Sequence, residues 1–521
     1  MTVAQFPPRV SESELSRLAD TVRTAGERES ISVRAPGMDA EIGSVPSGTE
    51  TDVAEAVTRA RAAQQSWANL PVESRARILR RFHETILDDR ATVLDLIQLE
   101  TGKSRLDALN ELLDVANTAR YYGHRPALLE PEPRRGAIPF LTRTTVEHPP
   151  VGVVGVISPW NYPLTLSIAD AIPALLAGNA VVLTPASATP FTALLVWTLL
   201  RRAGLPEDVF QVVTGPGGTV GPALVDRVDF VVFTGSTGTG RRVASRAGEN
   251  LIDATLELGG KNPMIVLADA DLDRAVAAVI HGSFGNAGQL CLALERLYVS
   301  REVFDPFVER LVERIDTLEL GLRYDYGPDV GSLIGPAQLA TVKAHVEDAT
   351  ESGATVEVGG RHRPAVGPYV YEPTVLTNVD SSMTITREET FGPVVTVEPF
   401  DATSEAVEMA NETDYGLNAS IFTDTPERGR ELASRIECGT VNVNGAYAPA
   451  WGSIDAPMGG MRDSGIGRRH GPEGVLKYTE ARTVSEQRGP SIHPPRWLPN
   501  GWYESGMVWL LRLLDRLPGL R

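Results

Sequence analysis

From Thr51 to about Tyr122 the apolar residues recur at intervals of three and four, as in Val53, Ala56, Val57 and Ala60 and again in Ile78, Phe82 and Ile86. That spacing puts them on one face and predicts amphipathic helix through the segment. Beyond Pro149-Pro150 the pattern changes. Val151-Gly-Val-Val-Gly-Val-Ile157 is a short apolar run of the kind a fully buried strand requires, and a helical stretch follows from Leu166 to Leu176. Asn179–Thr184 reads as the next strand and Thr189–Ala203 as the next helix, with further strands at Val209–Val213 and Phe230–Phe233. Short apolar runs alternating with helical segments predict an α/β fold built on a doubly wound parallel sheet. A second alternating region, from about Pro263 to Asn444, predicts a second α/β domain.

The remaining segments lack this alternation. Residues 1–50 are polar and broken by Pro and Gly, and read as an irregular lead-in. Thr142–His148 has strand composition and follows a Pro/Arg-rich stretch, Pro126–Arg135. Beyond Ser485 the tail carries Pro490, Pro494, Pro495 and Pro499, then Trp497, Trp502 and Trp509, and ends in the mostly apolar Val508–Leu517. This run is too short to span a bilayer. It could lie on a membrane surface as an amphipathic helix, but the expectation is that it docks on the protein body or on a neighbouring subunit.

At 521 residues the chain is long enough for two or three domains. Its net charge is −18, with only four lysines (Lys103, Lys261, Lys343, Lys477) against 45 arginines. Such an acidic surface, with no clustered basic face, argues against a nucleic-acid partner and suits a high-salt interior or a GC-rich genome. Two cysteines, Cys291 and Cys438, are too few for a disulfide scaffold. With no secretory leader pattern at the N-terminus and no run of about 20 apolar residues, the expected location is the cytoplasm.

Candidate chemistry centres on Cys291, in Phe284-Gly-Asn-Ala-Gly-Gln-Leu-Cys291, and on Glu257, in Glu257-Leu-Gly-Gly-Lys-Asn-Pro263. A thiol nucleophile and a carboxylate base, each framed by glycines, suit a carbonyl carbon: the thiolate adds to an aldehyde, hydride loss leaves a thioester, and activated water hydrolyses it. Ser158-Pro-Trp-Asn161-Tyr-Pro163 follows a strand, and Asn161 could present its amide to a developing oxyanion. Phe233-Thr-Gly235-Ser236-Thr-Gly-Thr-Gly240 also follows a strand and opens a helix, a setting for a pyrophosphate, although it is not the usual G-x-G-x-x-G. His281 and His470 make no metal-ligand spacing with the cysteines or each other, so no metal is expected.

Together these segments resemble the NAD(P)-dependent aldehyde dehydrogenase superfamily from about residue 30 to 485. The resemblance also rests on Glu389-Thr-Phe391-Gly-Pro393, Gly439-Thr-Val-Asn-Val-Asn444 and Gly459-Gly-Met-Arg-Asp-Ser-Gly465. It implies Cys291 as nucleophile, Glu257 as general base, Asn161 as oxyanion donor and Lys261 as a buried lysine beside them. Cofactor positions by the same resemblance are Ser158, Trp160, Thr184, Ser187, Gly217, Gly221, Phe233, Gly235, Ser236, Leu258, Glu389 and Phe391, with NAD or NADP as cofactor. The implied architecture is two doubly wound Rossmann-like α/β domains with a β-arm. A cofactor domain takes residues 1–129 and 151–256, a catalytic domain 257–460, and the arm 130–150 with a return segment at 461–490. A tail of 491–521 remains. The arm implies a homodimer or homotetramer, and the substrate is a small aldehyde.

Two departures bear on specificity. Thr184-Pro-Ala-Ser187 stands where the family commonly has Lys-Pro-Ser-Glu at the adenosine ribose. Ser187 removes a charge that would repel a 2′-phosphate, and Thr184 removes one that would attract it, so both NAD and NADP stay open. The branch resembled is the one labelled bacterial succinate-semialdehyde dehydrogenase, whose substrate carboxylate is held by two arginines. Those positions are Ala169 and Gly285 here, although Ser453 matches a serine expected near the pocket. Either another arginine, such as Arg296 or Arg462, substitutes, or the substrate is a neutral aldehyde.

Overall fold

The computed structural model describes residues 6–136, 142–488 and 493–516. Residues 1–5, 137–141 of the arm, and Pro490 and Leu517 of the tail lie outside the described residues. Two sheets dominate the fold. The first has six strands in the order Phe210–Val212, Ala180–Pro185, Val153–Ser158, Phe230–Thr234, Asp253–Glu257, Gly465–Ile466. All neighbours are parallel except the last pair. Its central strands are buried on both faces, which is why they read as continuous apolar runs. The chain winds outward from Val153–Ser158 in both directions, so a crevice opens beyond the carboxyl ends of that strand and Phe230–Thr234.

The second sheet has seven strands in the order Thr355–Val358, Thr374–Thr377, Val394–Phe400, Leu294–Ser300, Asn262–Val266, Asn418–Phe422, Thr440–Val443, parallel except for the first pair. The four residues Leu258–Lys261 carry the chain from the carboxyl end of a strand in the first sheet to the amino end of one in the second. This short link holds the two sheets edge to edge around the site.

The helical segment resolves into four helices, Glu50–Ala68, Val72–Asp88, Arg90–Thr101 and Arg105–Gly123. The stretch expected to be one helix from Leu166 to Leu176 is two, Pro163–Ile168 and Ala171–Ala177. Pro173 has no N–H and its ring would crowd the carbonyl of Ala169, which breaks the helix there. The first 50 residues correct the expectation of an irregular lead-in. They form a helix, Glu12–Ala19, with the Ser11 hydroxyl accepting the Glu14 N–H, and an antiparallel hairpin, Ser30–Ala35 with Ala40–Pro46. Leu15, Leu18, Val33, Ile42 and Val45 join the main core. Five apolar residues scattered among polar ones gave too weak a periodicity to reveal this.

Glu132–Arg135, Thr142–Glu147 and Arg482–Gln487 form a separate three-stranded antiparallel sheet, and the last strand is exposed along its whole length. Beyond it lies a 17-residue helix, Asn500–Arg516, none of whose residues is buried. The tail is expected from sequence to dock on the protein body or on a neighbouring subunit; among the described residues Tyr503, Met507, Leu510, Leu513 and Leu514 of this helix are half-buried and the rest are exposed. Among the described residues no helix is long and apolar enough to cross a membrane.

Candidate active site

Where the carboxyl edge of the first sheet meets the amino edge of the second lies a cavity of about 240 Å³. Its walls include Trp160, Asn161, Gly235, Ser236, Glu257, Leu258, Cys291, Glu389 and Phe391, which sequence reasoning had singled out, and also Gln338, which it had not. These residues come from six separate stretches of chain.

Cys291 is half-buried and precedes the strand Leu294–Ser300. Its loop turns through three left-handed residues, Asn286, Ala287 and Gly288, with φ of 51°, 52° and 73°. At Gly288 a Cβ would also fall 2.0 Å from the Gly392 carbonyl oxygen, so conformation and packing both demand glycine. Burial, then the carboxylates of Glu389 and Glu257, push the thiol up to about 12. Cys438 sits in an apolar cluster with its Sγ–H on the Thr440 carbonyl, and is likewise pushed up to about 12 by burial.

Glu257 ends the strand Asp253–Glu257 and is 4% exposed. Its Oε1 has no hydrogen-bond partner in the protein. Burial raises its pKa to about 7, opposed chiefly by Arg469, whose Nε lies 3.9 Å from Oε1. Arg469 is itself bound to Asp170, which also accepts from Lys477 Nζ at 3.1 Å and the Tyr478 hydroxyl at 3.2 Å.

Asn161 donates one amide hydrogen to the Gln289 carbonyl at 3.1 Å, which leaves the second hydrogen of Nδ2 for a ligand. Its backbone carbonyl accepts from Lys103 Nζ at 2.7 Å and from Asn286 Nδ2 at 3.1 Å. Lys103 is buried and paired with Glu111 at 2.6 Å, and Glu111 in turn accepts the Leu164 N–H at 2.8 Å. Asn161 is thus held from both sides.

Glu389 accepts the Gly260 N–H at 2.9 Å, and burial followed by the nearby Glu295 carboxylate pushes it up to about 8. Phe391 has a left-handed φ of 52°, uncommon for an aromatic residue. Two clamps hold it. Glu295 accepts the N–H groups of Thr390 and Phe391 at 2.9 and 3.0 Å, and Gln338 donates to both their carbonyls at 3.0 and 2.9 Å. The ring meets Trp160 edge to face at 5.6 Å. Lys261 does not line the cavity: its ammonium pairs with Glu295 beneath this loop.

The other expected cofactor positions lie along the carboxyl edge of the first sheet. Ser158 bonds Ser167 at 3.0 Å, Thr184 is buried at the end of its strand, and the Ser187 hydroxyl donates to the Gly215 carbonyl at 3.0 Å. Gly217 and Gly221 lie in the helix Gly217–Val225, and Phe233 packs its ring against Gly235. A Cβ at Gly217, Gly218 or Gly238 would meet nothing within 4 Å, so two helix N-termini open unobstructed onto the crevice. That open, amide-lined edge fits a dinucleotide pyrophosphate.

The wall on the other side of Cys291 is an apolar cluster that includes Tyr162, Leu166, Leu290, Leu292, Met458 and Trp451. Neither arginine suggested as a stand-in reaches it. Arg296 is fully buried and bonds the carbonyls of Lys261, Met409 and Ala410. Arg462 bonds the carbonyls of Asn411 and Thr413 and pairs with Glu437. A Cβ at Gly285 would lie 3.3 Å from an Asp107 carboxylate oxygen, and the Ser453 hydroxyl donates to the Pro449 carbonyl.

Lys103, Glu111, Glu295, Gln338, Asp170 and Arg469 were missed. One sequence signal pointed at part of the set: of four lysines, Lys103, Lys261 and Lys477 each pair with an acid inside the fold, and only Lys343 is exposed. Among the described residues no group of three or more His, Cys, Asp or Glu is placed to hold a metal ion.

The family model described as "Aldehyde dehydrogenase family" matches residues 22–484. A protein of Mycolicibacterium smegmatis named "Putative succinate-semialdehyde dehydrogenase", NADP(+) form, is 47% identical over 98% of this chain and 100% of its own length. A similarly named Mycobacterium tuberculosis protein is 48% identical over 92% of each chain. Among solved structures, betaine aldehyde dehydrogenase of Staphylococcus aureus in complex with NAD+ is 32% identical, with a TM-score of 0.86 over 94% of this chain and 99% of that one. An NADP-dependent enzyme of E. coli is 34% identical, with a TM-score of 0.85 over 88% and 95%.

Proposed function

Since the chain belongs to the aldehyde dehydrogenase family, we propose that it oxidises succinate semialdehyde to the dicarboxylate through a covalent adduct on Cys291, with NADP+ as the physiological acceptor. The observation that carries the chemistry is the convergence of Cys291, Glu257 and Asn161 on one cavity beneath Trp160 and Phe391. The substrate rests on the names of the 47–48% identical relatives.

Cys291 Sγ bonds to the aldehyde carbon, and the carbonyl oxygen takes up negative charge within reach of the free Asn161 amide hydrogen. The thiol begins protonated, since burial and two carboxylates oppose its ionisation, and its proton is released to solvent as the C–S bond forms. Ser236, Gly217, Ser187 and Glu389 would hold NAD(P)+, which when bound takes the hydride that converts the thiohemiacetal to a thioester. Glu257, with a pKa near 7 and an unpartnered Oε1, is placed to take a proton from water as it attacks that thioester. The C–S bond breaks, the acid leaves, and the departing Cys291 thiolate takes up the proton that Glu257 removed from water. The balance is aldehyde, water and oxidised cofactor to acid, reduced cofactor and one proton.

Lys261 and Lys103 position these groups rather than touch substrate. The exposed arm strand Arg482–Gln487 supports assembly into a homodimer or homotetramer. Two free cysteines suit a reducing cytoplasm.

A second reading, a neutral aliphatic or aromatic aldehyde, is favoured by the apolar wall beside Cys291 and by the commitment of Arg296 and Arg462 elsewhere. CoA-dependent acylation is disfavoured because Glu257 is present. A silent binding role is disfavoured because the reactive groups share one cavity. The test is a substrate panel of succinate semialdehyde, a neutral aliphatic aldehyde and an aromatic aldehyde, run with NAD+ and with NADP+. Succinate semialdehyde with NADP+ is expected to give the highest kcat/KM. A neutral aldehyde in first place overturns the substrate, and no reduced cofactor from any aldehyde overturns the activity.

A further inference from the structure

The helix Asn500–Arg516 lies beyond the 22–484 span of the family match, and the site described above makes no use of it. At 100° per residue, Trp502, Met507, Trp509, Leu510, Leu513 and Leu514 fall on one side, and Glu504, Ser505, Arg512, Asp515 and Arg516 on the other, together with the exposed Val508 and Leu511. On the first side the tryptophans are uncovered while Met507, Leu510, Leu513 and Leu514 are half-buried: Trp502 is 78% and Trp509 64% exposed, and Trp497, just before the helix, is 81% exposed. Three of the seven tryptophans of the chain stand on this one segment. A tail of low burial would ordinarily be polar.

Charge singles the segment out again. Residues 489–521 carry four arginines against one Glu and one Asp, a net +2 on a chain of net −18. The acidic body offers a complementary surface, but no helix residue is buried against it. Charge alone does not dock the tail, so its occupant must cover apolar surface. As an interface on its own, the helix is too small to hold a second copy of the chain. A 17-residue helix is about 26 Å long and about 10 Å wide, so one face offers roughly 260 Å², far below the ~800 Å² per partner of a stable protein interface. A lipid headgroup layer needs no such shape match. It receives tryptophan at its boundary and arginine beside anionic lipid.

From these observations we propose that Asn500–Arg516 is an interfacial anchor that lays its tryptophan and leucine side on an anionic bilayer surface. The eleven residues between Arg488 and Asn500, four of them proline, reach at most about 35 Å. That exceeds the screening length of about 8 Å at physiological salt, so the acidic body can stay clear of lipid charge.

The test is co-sedimentation of the full-length protein with phosphatidylcholine vesicles, with and without phosphatidylglycerol. The bound fraction is expected to rise severalfold with the anionic lipid and to fall in molar salt, with a blue shift of tryptophan emission on binding. Trp502→Ser with Trp509→Ser should lower binding about tenfold or more, and Arg512→Glu with Arg516→Glu should lower it on anionic vesicles. Circular dichroism and the thermal midpoint should stay unchanged in both. Absence of wild-type binding to anionic vesicles overturns the proposal, as does binding that the tryptophan pair does not affect. If sedimentation equilibrium shows the tryptophan variant losing oligomer mass while the wild type ignores vesicles, a second copy covers the helix and the proposal fails.

Discussion

Arg469 Nε lies 3.9 Å from Glu257 Oε1 while the far side of the same guanidinium is bound to Asp170. The arginine is thereby fixed beside a carboxylate that burial alone would drive still further up than about 7. A base must be ionised to act, so turnover should rise with pH through about 7. In Arg469→Gln the cation is gone, the carboxylate is harder to ionise, and the acid limb should move to higher pH by about one unit. Lys477 remains to pair Asp170. An unmoved limb in the kcat–pH profile would remove Arg469 from this role.

Cys291→Ala should abolish reduced-cofactor formation, by on the order of 10³-fold or more, with cofactor binding and thermal midpoint retained. Fluorescence titration with NADP+ checks the binding. Activity within about tenfold of wild type would contradict the nucleophile assignment.

Glu257→Gln should preserve a burst of reduced cofactor and slow steady turnover by about 10²–10⁴-fold. It also tests who deprotonates the thiol. The Glu257 charge raises the Cys291 pKa, so its removal should speed iodoacetamide alkylation of Cys291 at pH 8. Slower alkylation would mean that Glu257 takes the thiol proton as well.

Lys261→Met leaves Glu295 without its cation beneath the Thr390–Phe391 loop. Breaking such a buried pair costs about 3–5 kcal/mol. The thermal midpoint should fall and KM for the cofactor should rise, since the strained Phe391 loses firm support. Adding Glu295→Gln should restore much of the stability. A single variant as stable as wild type would show that the pair does not support the loop.

Ser187→Glu should turn preference from NADP+ toward NAD+, because a carboxylate there meets the 2′-phosphate. A change of at least about tenfold, or 1.4 kcal/mol, in the ratio of kcat/KM values is expected. An unchanged ratio would place the 2′-phosphate elsewhere.

Much of this was legible along the chain. The first sheet announced itself because a strand buried on both faces must be apolar throughout, as Val153–Ser158 and Ala180–Pro185 are. The hairpin at Ser30–Pro46 did not, because half of each strand faces water and its few apolar positions look like loop. The tail helix was visible as an apolar run, but its exposure was not, since burial depends on what lies opposite.

Cys291, Glu257 and Asn161 could be named from sequence because each sits in a short motif whose glycines and prolines record a local turn. Their settings could not. Lys261 finds Glu295 34 residues away, and Arg469 finds Asp170 299 residues away. Sequence determines which groups can ionise, attack or accept a proton. Only the docking of two sheets determines which charges share a low-dielectric space, and at a few ångströms those pairings decide the protonation state of each group.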